Sequence, residues 1–312
     1  MRCSINVAFA ADNNYAQHVA VVMASILLNT KAPERMHFYL LADGVPEDKC
    51  WKLERTAEMH GGKLHIVKVD GEASSDFFVS GQLSKTAYVR LGLARLLPEV
   101  ERIIYLDCDL LVKEDIAELW EMDLQEYPIG AVPDFGIMSS RRRWQEKKSL
   151  MALTDDMSYF NSGVLLIDLV AWRKHGYGDT AEKLARTHDY PHHDQDALNA
   201  VFLNNWYMLP LRWNVIPPIF NMFFKVLCQN RFRKLAATAR QKPAIVHYAG
   251  GYKPWEYERH EEFNGAYYKA LQATAFKNAP MPQMDPRRRQ RSLSRQLWRL
   301  RWGAFWGRLL AD

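Results

Sequence analysis

A chain of 312 residues, 48% apolar and 25% charged, can bury a substantial core and has an ordinary charge content for a globular protein. Its net charge of +5 is unevenly placed: residues 287–312 hold eight arginines and one acid, so the rest of the chain offers no electrostatic footprint for nucleic acid. Four scattered cysteines (Cys3, Cys50, Cys108, Cys228) without a C-x-x-C pair argue against a zinc site or a disulfide framework. A short apolar start soon stopped by Asp12, with no long uncharged run, argues against a secretory leader or a bilayer span; the expectation is a cytoplasmic protein, soluble or peripherally bound.

The first third alternates between strand and helix. Residues 5–10 form an apolar strand. Residues 16–28 follow as a helix with Val19, Val22, Met23, Ile26 and Leu27 on one face. Strand, helix and strand recur at 36–41, 46–60 and 64–69, and a helix over 86–97 precedes a strand at 102–106. This order implies βαβ units and a mostly parallel sheet, whose ligands sit beyond the carboxyl ends of the strands. Further on, 129–132 and 160–167 read as strands, 195–203 as a helix, 214–221 as a loop around Pro217-Pro218, 244–247 as a late strand and 261–276 as a helix. Pro280, Pro282 and Pro286 mark a linker. The division is therefore 1–277 as the catalytic body, 278–286 as a proline-rich linker and 287–312 as a basic tail.

Four segments carry chemistry. Asp107-Cys108-Asp109 ends the apolar run 102–106, and residues i and i+2 of an extended segment share a face, so the two carboxylates can converge on one hard divalent cation. His247, ending another strand, can complete a site for Mn²⁺, which accepts mixed carboxylate and imidazole ligation. Taken alone, the acids read more readily as solvated or capping groups and the histidine as a hydrogen-bonded, semi-buried one. Gly250-Gly251-Tyr252-Lys253 lets backbone approach a phosphate and adds a compact positive charge, although a plain turn fits too. Ala10-Ala11-Asp12-Asn13-Asn14-Tyr15 can admit a planar base or simply cap a helix. His193-Asp194-Gln195-Asp196 opens a helix, where acids also complement the dipole. A Walker loop, G-x-G-x-x-G, G-x-S-x-G and H-E-x-x-H are all missing from the sequence.

In this order and spacing the four segments resemble glycosyltransferase family 8, which includes bacterial lipopolysaccharide α-galactosyl- and α-glucosyltransferases. The likeness spans roughly residues 4–270 by motif order. It extends to Thr86-Ala87-Tyr88-Val89-Arg90-Leu91, to Phe160-Asn161-Ser162-Gly163 and its apolar continuation, and to Arg212-Trp213-Asn214. The resemblance implies a GT-A-like α/β fold, a donor that is UDP-galactose or UDP-glucose, Mn²⁺ with Mg²⁺ as a substitute, and retention of configuration. By motif match, Asp107, Asp109 and His247 are the expected metal ligands. Ala10, Asp12, Asn14 and Tyr15 are expected around uridine, with Gly250 and Lys253 at the diphosphate. Arg90, Asn161, Asp194 and Gln195 are expected at the donor sugar, with Asp134 beside them. Residues 137–148, with Arg141, Arg142 and Arg143, and His192-His193 are individual to this chain and are expected on the acceptor side.

In the tail, Trp298, Trp302 and Trp306 recur every fourth residue, with Phe305 and Leu309 near the same stripe. Arg291 and Arg295 interrupt that stripe, and Leu293, Leu297 and Leu300 lie across from it. The composition suits an anionic inner-membrane surface, and a lipid-linked oligosaccharide is the acceptor class that fits. The competing expectations are a non-catalytic membrane or nucleic-acid adaptor working through the tail, a nucleotidyltransferase and a self-glucosylating initiator.

Overall fold

Alternate residues of the first strand are buried on opposite faces. Ile5, Val7 and Phe9 enter one apolar cluster, while Ala8 and Ala10 enter a second. A strand covered on both sides needs a continuous apolar run, which is what residues 7–11 supply. The computed structural model describes residues 4–69, 85–220, 230–251, 253–256 and 264–278. The linker from residue 279 onward and the tail 287–312 lie outside them.

Nine strands are described: β1 Ile5–Asp12, β2 Met36–Asp43, β3 Lys63–Val69, β4 Arg102–Leu106, β5 Leu110–Val112, β6 Ile129–Pro133, β7 Phe160–Asp168, β8 Tyr207–Met208 and β9 Ile245–His247. Seven form a sheet of order β3-β2-β1-β4-β7-β6-β8, and β5 pairs with β9. Within the large sheet β7 alone runs antiparallel to its neighbours, so the sheet is mostly parallel. This agrees with the α/β, GT-A-like expectation.

The helix Ala16–Asn29 is buried almost all round, not merely along the stripe its periodicity marks. It packs between the sheet, the helix Glu47–Met59, β5 and the helix Asn264–Gln272, so few of its positions meet water. The expected helix over 86–97 is instead a 3₁₀ segment, Lys85–Gly92, followed by one short α-turn, Leu93–Leu96. Its tighter winding goes with anchors at both ends. Thr86 Oγ1 donates to Asp43 at 2.8 Å, and Arg90 reaches across to β7. The helix expected at 195–203 begins earlier, at His193, whose φ of +47° lies in the left-handed region. The helix expected over 261–276 is described as Asn264–Gln272.

Two irregularities build the cleft. Between β6 and β7 the register jumps from Ala131↔Leu165 to Val132↔Asn161, so residues 162–164 of β7 have no β6 partner. Bulges of this kind re-aim side chains beside functional sites, and this one adjoins Asn161. The second is the pairing of Leu110 with His247, which brings the end of β9 against the segment that follows β4.

Candidate functional site

The strand carrying the aspartate pair ends at Leu106, and the chain then passes Asp107, Cys108 and Asp109 before β5. Cys108 turns inward, its thiol donating to the carbonyl of Ala10 at 3.2 Å. The two flanking aspartates face the other way. Their carboxylates meet His247, whose Nε2 lies 3.2 Å from Asp109 and 3.8 Å from Asp107. One ligand atom from each of the three lies within 4.8 Å of the others. His247 Nδ1 is held 2.9 Å from Oδ1 of Asn214, which leaves Nε2 facing the carboxylates. Asn214 is fixed in turn, donating to Asn161 at 2.8 Å.

Gly163 is the floor of this cluster. A Cβ there would stand 2.4 Å from Cε1 of His247 and 2.7 Å from a carboxylate oxygen of Asp107. Any side chain would fill the space in which the three ligands converge. The donor set and the emptied space fit a hard or borderline divalent cation such as Mn²⁺.

Charge around the cluster is arranged in pairs. Arg90 is buried, with Nη2 2.8 Å from Asp107 and Nε 3.1 Å from Asp194, and its guanidinium stacks over Tyr105. Burial works against its charge, but the two aspartates outweigh that and raise its pKa above the usual arginine value. Burial tends to raise the Asp109 carboxyl as well. There Lys253 and His247 prevail, both by charge and by hydrogen bond, and hold it well below the usual carboxylate range. Lys253 Nζ pairs with Asp109 and also donates to the carbonyl of Tyr248 at 2.8 Å. Asp194 is the counter-example: burial pushes its carboxyl up to about 6, with Arg90 opposing and Asp107 reinforcing.

The other half of the site is a web of amides and hydroxyls. Gln195 Oε1 accepts from Asn161 Nδ2 and from the backbone N–H of Ser162, both at 3.1 Å. Its Nε2 donates to Asp134 and to the Tyr159 hydroxyl, also at 3.1 Å each. Asn161 donates to Asp134 as well, and Asp134 caps the turn that follows by accepting from the N–H of Ile137 at 2.9 Å.

These two halves line one cleft of about 590 Å³. Of the residues singled out in the sequence, Ala10, Asp12, Tyr15, Arg90, Asp107, Asp109, Asp134, Asn161, Asp194, Gln195, His247, Gly250 and Lys253 line it. Asn14 does not: its side chain is exposed, while its backbone N–H joins that of Tyr15 in donating to Asp12. Asp196 is also excluded, buried beneath the helix start. Of the residues expected on the acceptor side, Ile137, Arg143 and His192 reach the lining and His193 does not. Behind Tyr15, His18 stacks on Trp255 with ring centroids 3.6 Å apart and bonds the Tyr267 hydroxyl at 2.7 Å. Burial pushes its imidazole down to about 3. This stack holds the segment that presents Lys253.

The sequence assigns no individual role to Asn214, Ser162, Gly163, Tyr159 or Lys147. Asn214, Ser162 and Gly163 stand inside motifs of the family resemblance, and Lys147 within the segment 137–148, so a signal is present without a specific function. Lys147 lies on the helix Arg141–Met151, which was not expected as an element.

Glycosyl transferase family 8 matches this chain across residues 6–259. The chain belongs to that family, and its activity class is sugar transfer. General stress protein A of Bacillus subtilis is 31% identical over 287 residues, covering 90% of this chain and 98% of that protein. Lipopolysaccharide 1,2-glucosyltransferase of Escherichia coli K12 is 28% identical over 257 residues, covering 80% of this chain and 72% of that protein. A solved structure of the galactosyltransferase LgtC with donor and acceptor sugar analogues superposes with a TM-score of 0.77 at 25% identity, covering 89% of this chain and 98% of that one.

Proposed function

We propose that this family 8 member is a retaining, metal-dependent hexosyltransferase that moves galactose or glucose from a UDP-sugar to a lipopolysaccharide- or lipooligosaccharide-type acceptor. The observation that carries the reading is the convergence of Asp107, Asp109 and His247 at one end of a cleft whose far wall is built from amides and carboxylates able to hydrogen-bond hydroxyls. The acceptor class rests on relatives named as lipopolysaccharide 1,2-glucosyltransferase and, in Salmonella typhimurium, lipopolysaccharide 1,3-galactosyltransferase, the latter 25% identical over 258 residues.

Asp107, Asp109 and His247 would hold the cation, Mn²⁺ or Mg²⁺, which when bound supplies positive charge to the donor's diphosphate. Lys253 and the backbone at Gly250 face the same phosphates. Lys253 meets the charge that grows on the leaving group, and stabilising charge where it develops is the largest gain available to such a site. Ala10, Asp12 and Tyr15 border the uridine end. Asn14 contributes there only through its backbone turn. Arg90, Asp134, Asn161 and Asp194 offer donors and acceptors to the hydroxyls of the sugar.

Retention has two routes. In the favoured one the anomeric C–O bond breaks with its electron pair passing to the phosphate oxygen, and the acceptor hydroxyl attacks the same face. Its proton goes to that departing oxygen. The hydrogen bonding of Gln195 supports this route, because both ends of its carboxamide are engaged and an amide is a poor nucleophile. A covalent route would have to use Asp194, since Asp196 is buried away from the cleft and fully engaged. Gln195→Glu retaining full activity with a trapped glycosyl adduct would overturn the favoured route.

The arginine- and tryptophan-rich tail supports peripheral attachment to the cytoplasmic face of the inner membrane. No helix among the described residues is long and apolar enough to cross a bilayer. Deleting 287–312 is expected to abolish binding to anionic liposomes while sparing donor hydrolysis. The function itself is tested by UDP release from a panel of UDP-sugars, with and without Mn²⁺, for the native protein and Asp109→Asn. Mn²⁺-dependent release from one sugar, lost in the variant, is the expected result.

A further inference from the structure

We infer that Lys147 is a positioning residue for the reaction centre, fixing the orientation of the Gln195 carboxamide through Asp196 and Tyr159. The inference rests on the sugar-transfer reading for its kinetic consequence, though its structural core stands apart from it. Lys147 projects from the helix Arg141–Met151 into the protein, where its side chain is 4% exposed and its partner Asp196 is 0% exposed. The ammonium sits between both carboxylate oxygens of Asp196, 2.5 Å from Oδ2. Asp196 also accepts from the Tyr159 hydroxyl at 2.5 Å and from the backbone N–H of His192 at 2.8 Å.

The direction of every hydrogen bond follows from the charge on Asp196. An ionised carboxylate only accepts, so Tyr159 must donate to it. The lone pair of Tyr159 then faces Gln195, and only the NH₂ end of the carboxamide can meet it. That leaves Oε1 towards the N–H of Ser162, a donor with no alternative role. Lys147 grips both oxygens of that carboxylate; without the ammonium the carboxylate can rotate, Tyr159 loses its fixed acceptor and can turn its hydroxyl proton towards Gln195, and the fixed polarity of the amide is lost. Lys147 thus holds Nε2 of Gln195 on Asp134 and Oε1 on Asn161, the groups that would hold the sugar.

The same pair joins two walls. Asp196 ties down the turn at His192, just before His193 with its left-handed backbone, and Lys147 ties that turn to the helix bearing Arg143. The acceptor-side helix and the reaction centre are therefore one mechanical unit. Nothing in the sequence spacing joins 147 to 196; they meet only in the fold.

The test uses the full chain and compares Lys147→Met, Lys147→Arg and Tyr159→Phe with the native protein. Two readouts are taken: steady-state transfer kinetics, and the side-chain NH₂ resonances of Gln195 in ¹⁵N-glutamine-labelled protein, assigned by their loss in Gln195→Glu. We expect kcat to fall about tenfold or more in Lys147→Met and Tyr159→Phe, as for a misplaced reacting geometry. Donor KM should stay within about threefold, with Lys147→Arg recovering most of the loss. The Gln195 resonances should shift in both damaged variants. A lowered Tm with unchanged kcat and unchanged Gln195 resonances is what a merely structural pair would give, and it would overturn the inference. If Lys147→Met does not fold, Tyr159→Phe, which removes one hydroxyl, decides on the same readouts. If the native protein transfers no sugar from any nucleotide donor, the functional reading fails, and the resonances alone decide the positioning.

Discussion

Two D-x-D triplets occur in this protein, and they do opposite things. Asp107-Cys108-Asp109 lies in extended chain leaving a strand, where alternate side chains share a face, so both carboxylates converge on His247 and Cys108 points back under Ala10. Asp194-Gln195-Asp196 lies in the first turn of a helix, where residues two apart diverge around the axis. Asp194 meets Arg90 at the cleft while Asp196 is driven inward to Lys147. The first pair concentrates charge at one point beside His247. The second is a pair of separately neutralised struts with Gln195 between them. Identical spacing acquires its meaning from the backbone that carries it.

The largest effect should come from the converging pair. Asp109→Asn is expected to cost at least about a hundredfold in Mn²⁺ affinity and in metal-dependent UDP release, whereas Asp196→Asn should leave Mn²⁺ affinity unchanged. Isothermal titration with Mn²⁺ separates the two, and equal losses would break the distinction. Gly163→Ala should come next, because the new methyl enters the space between His247 and Asp107; a loss of about 10–100-fold in metal affinity is expected. Asn214→Ala, which frees the far nitrogen of His247, should cost about tenfold by the same titration.

The smallest effect concerns stability. Burial sets the Asp194 carboxyl at about 6, above its value in an unfolded chain, so its contribution is complete at low pH and is lost as pH rises through about 6. The unfolding free energy of the native protein relative to Asp194→Asn should therefore fall between about pH 4 and pH 6, with a slope of at most about 1.4 kcal/mol per pH unit, and Tm should fall with it. A flat difference would mean that Arg90 holds Asp194 ionised throughout.

The mostly parallel sheet and the clustering of Asp107 and Asp109 were legible because each depends on a local pattern: an apolar run, then acids where the run stops. The same holds for Gly250 and Lys253, placed by the end of β9. The support behind the site was not legible. Lys147 is one of several cations on a helix whose apolar periodicity is weak, and only its burial against Asp196 distinguishes it from exposed Arg141 and Arg142. Gly163 reads as an ordinary strand glycine until the register jump in β7 brings it beneath His247. The 3₁₀ segment at Lys85–Gly92 was read as α-helix because helical periodicity cannot reveal tertiary anchors such as Thr86 to Asp43.

The pairing of β5 with β9 has a consequence for the order of assembly. Leu110 and His247 come from distant parts of the chain, and closing so long a loop costs more entropy than forming the local β1–β2–β3 pairings. A nascent chain can therefore fold its first parallel strands and display both aspartates well before His247 has been synthesised. On the proposed metal-dependent reading, capture of the cation would be a late event in folding, and Mn²⁺ affinity would report whether the chain has finished closing on itself.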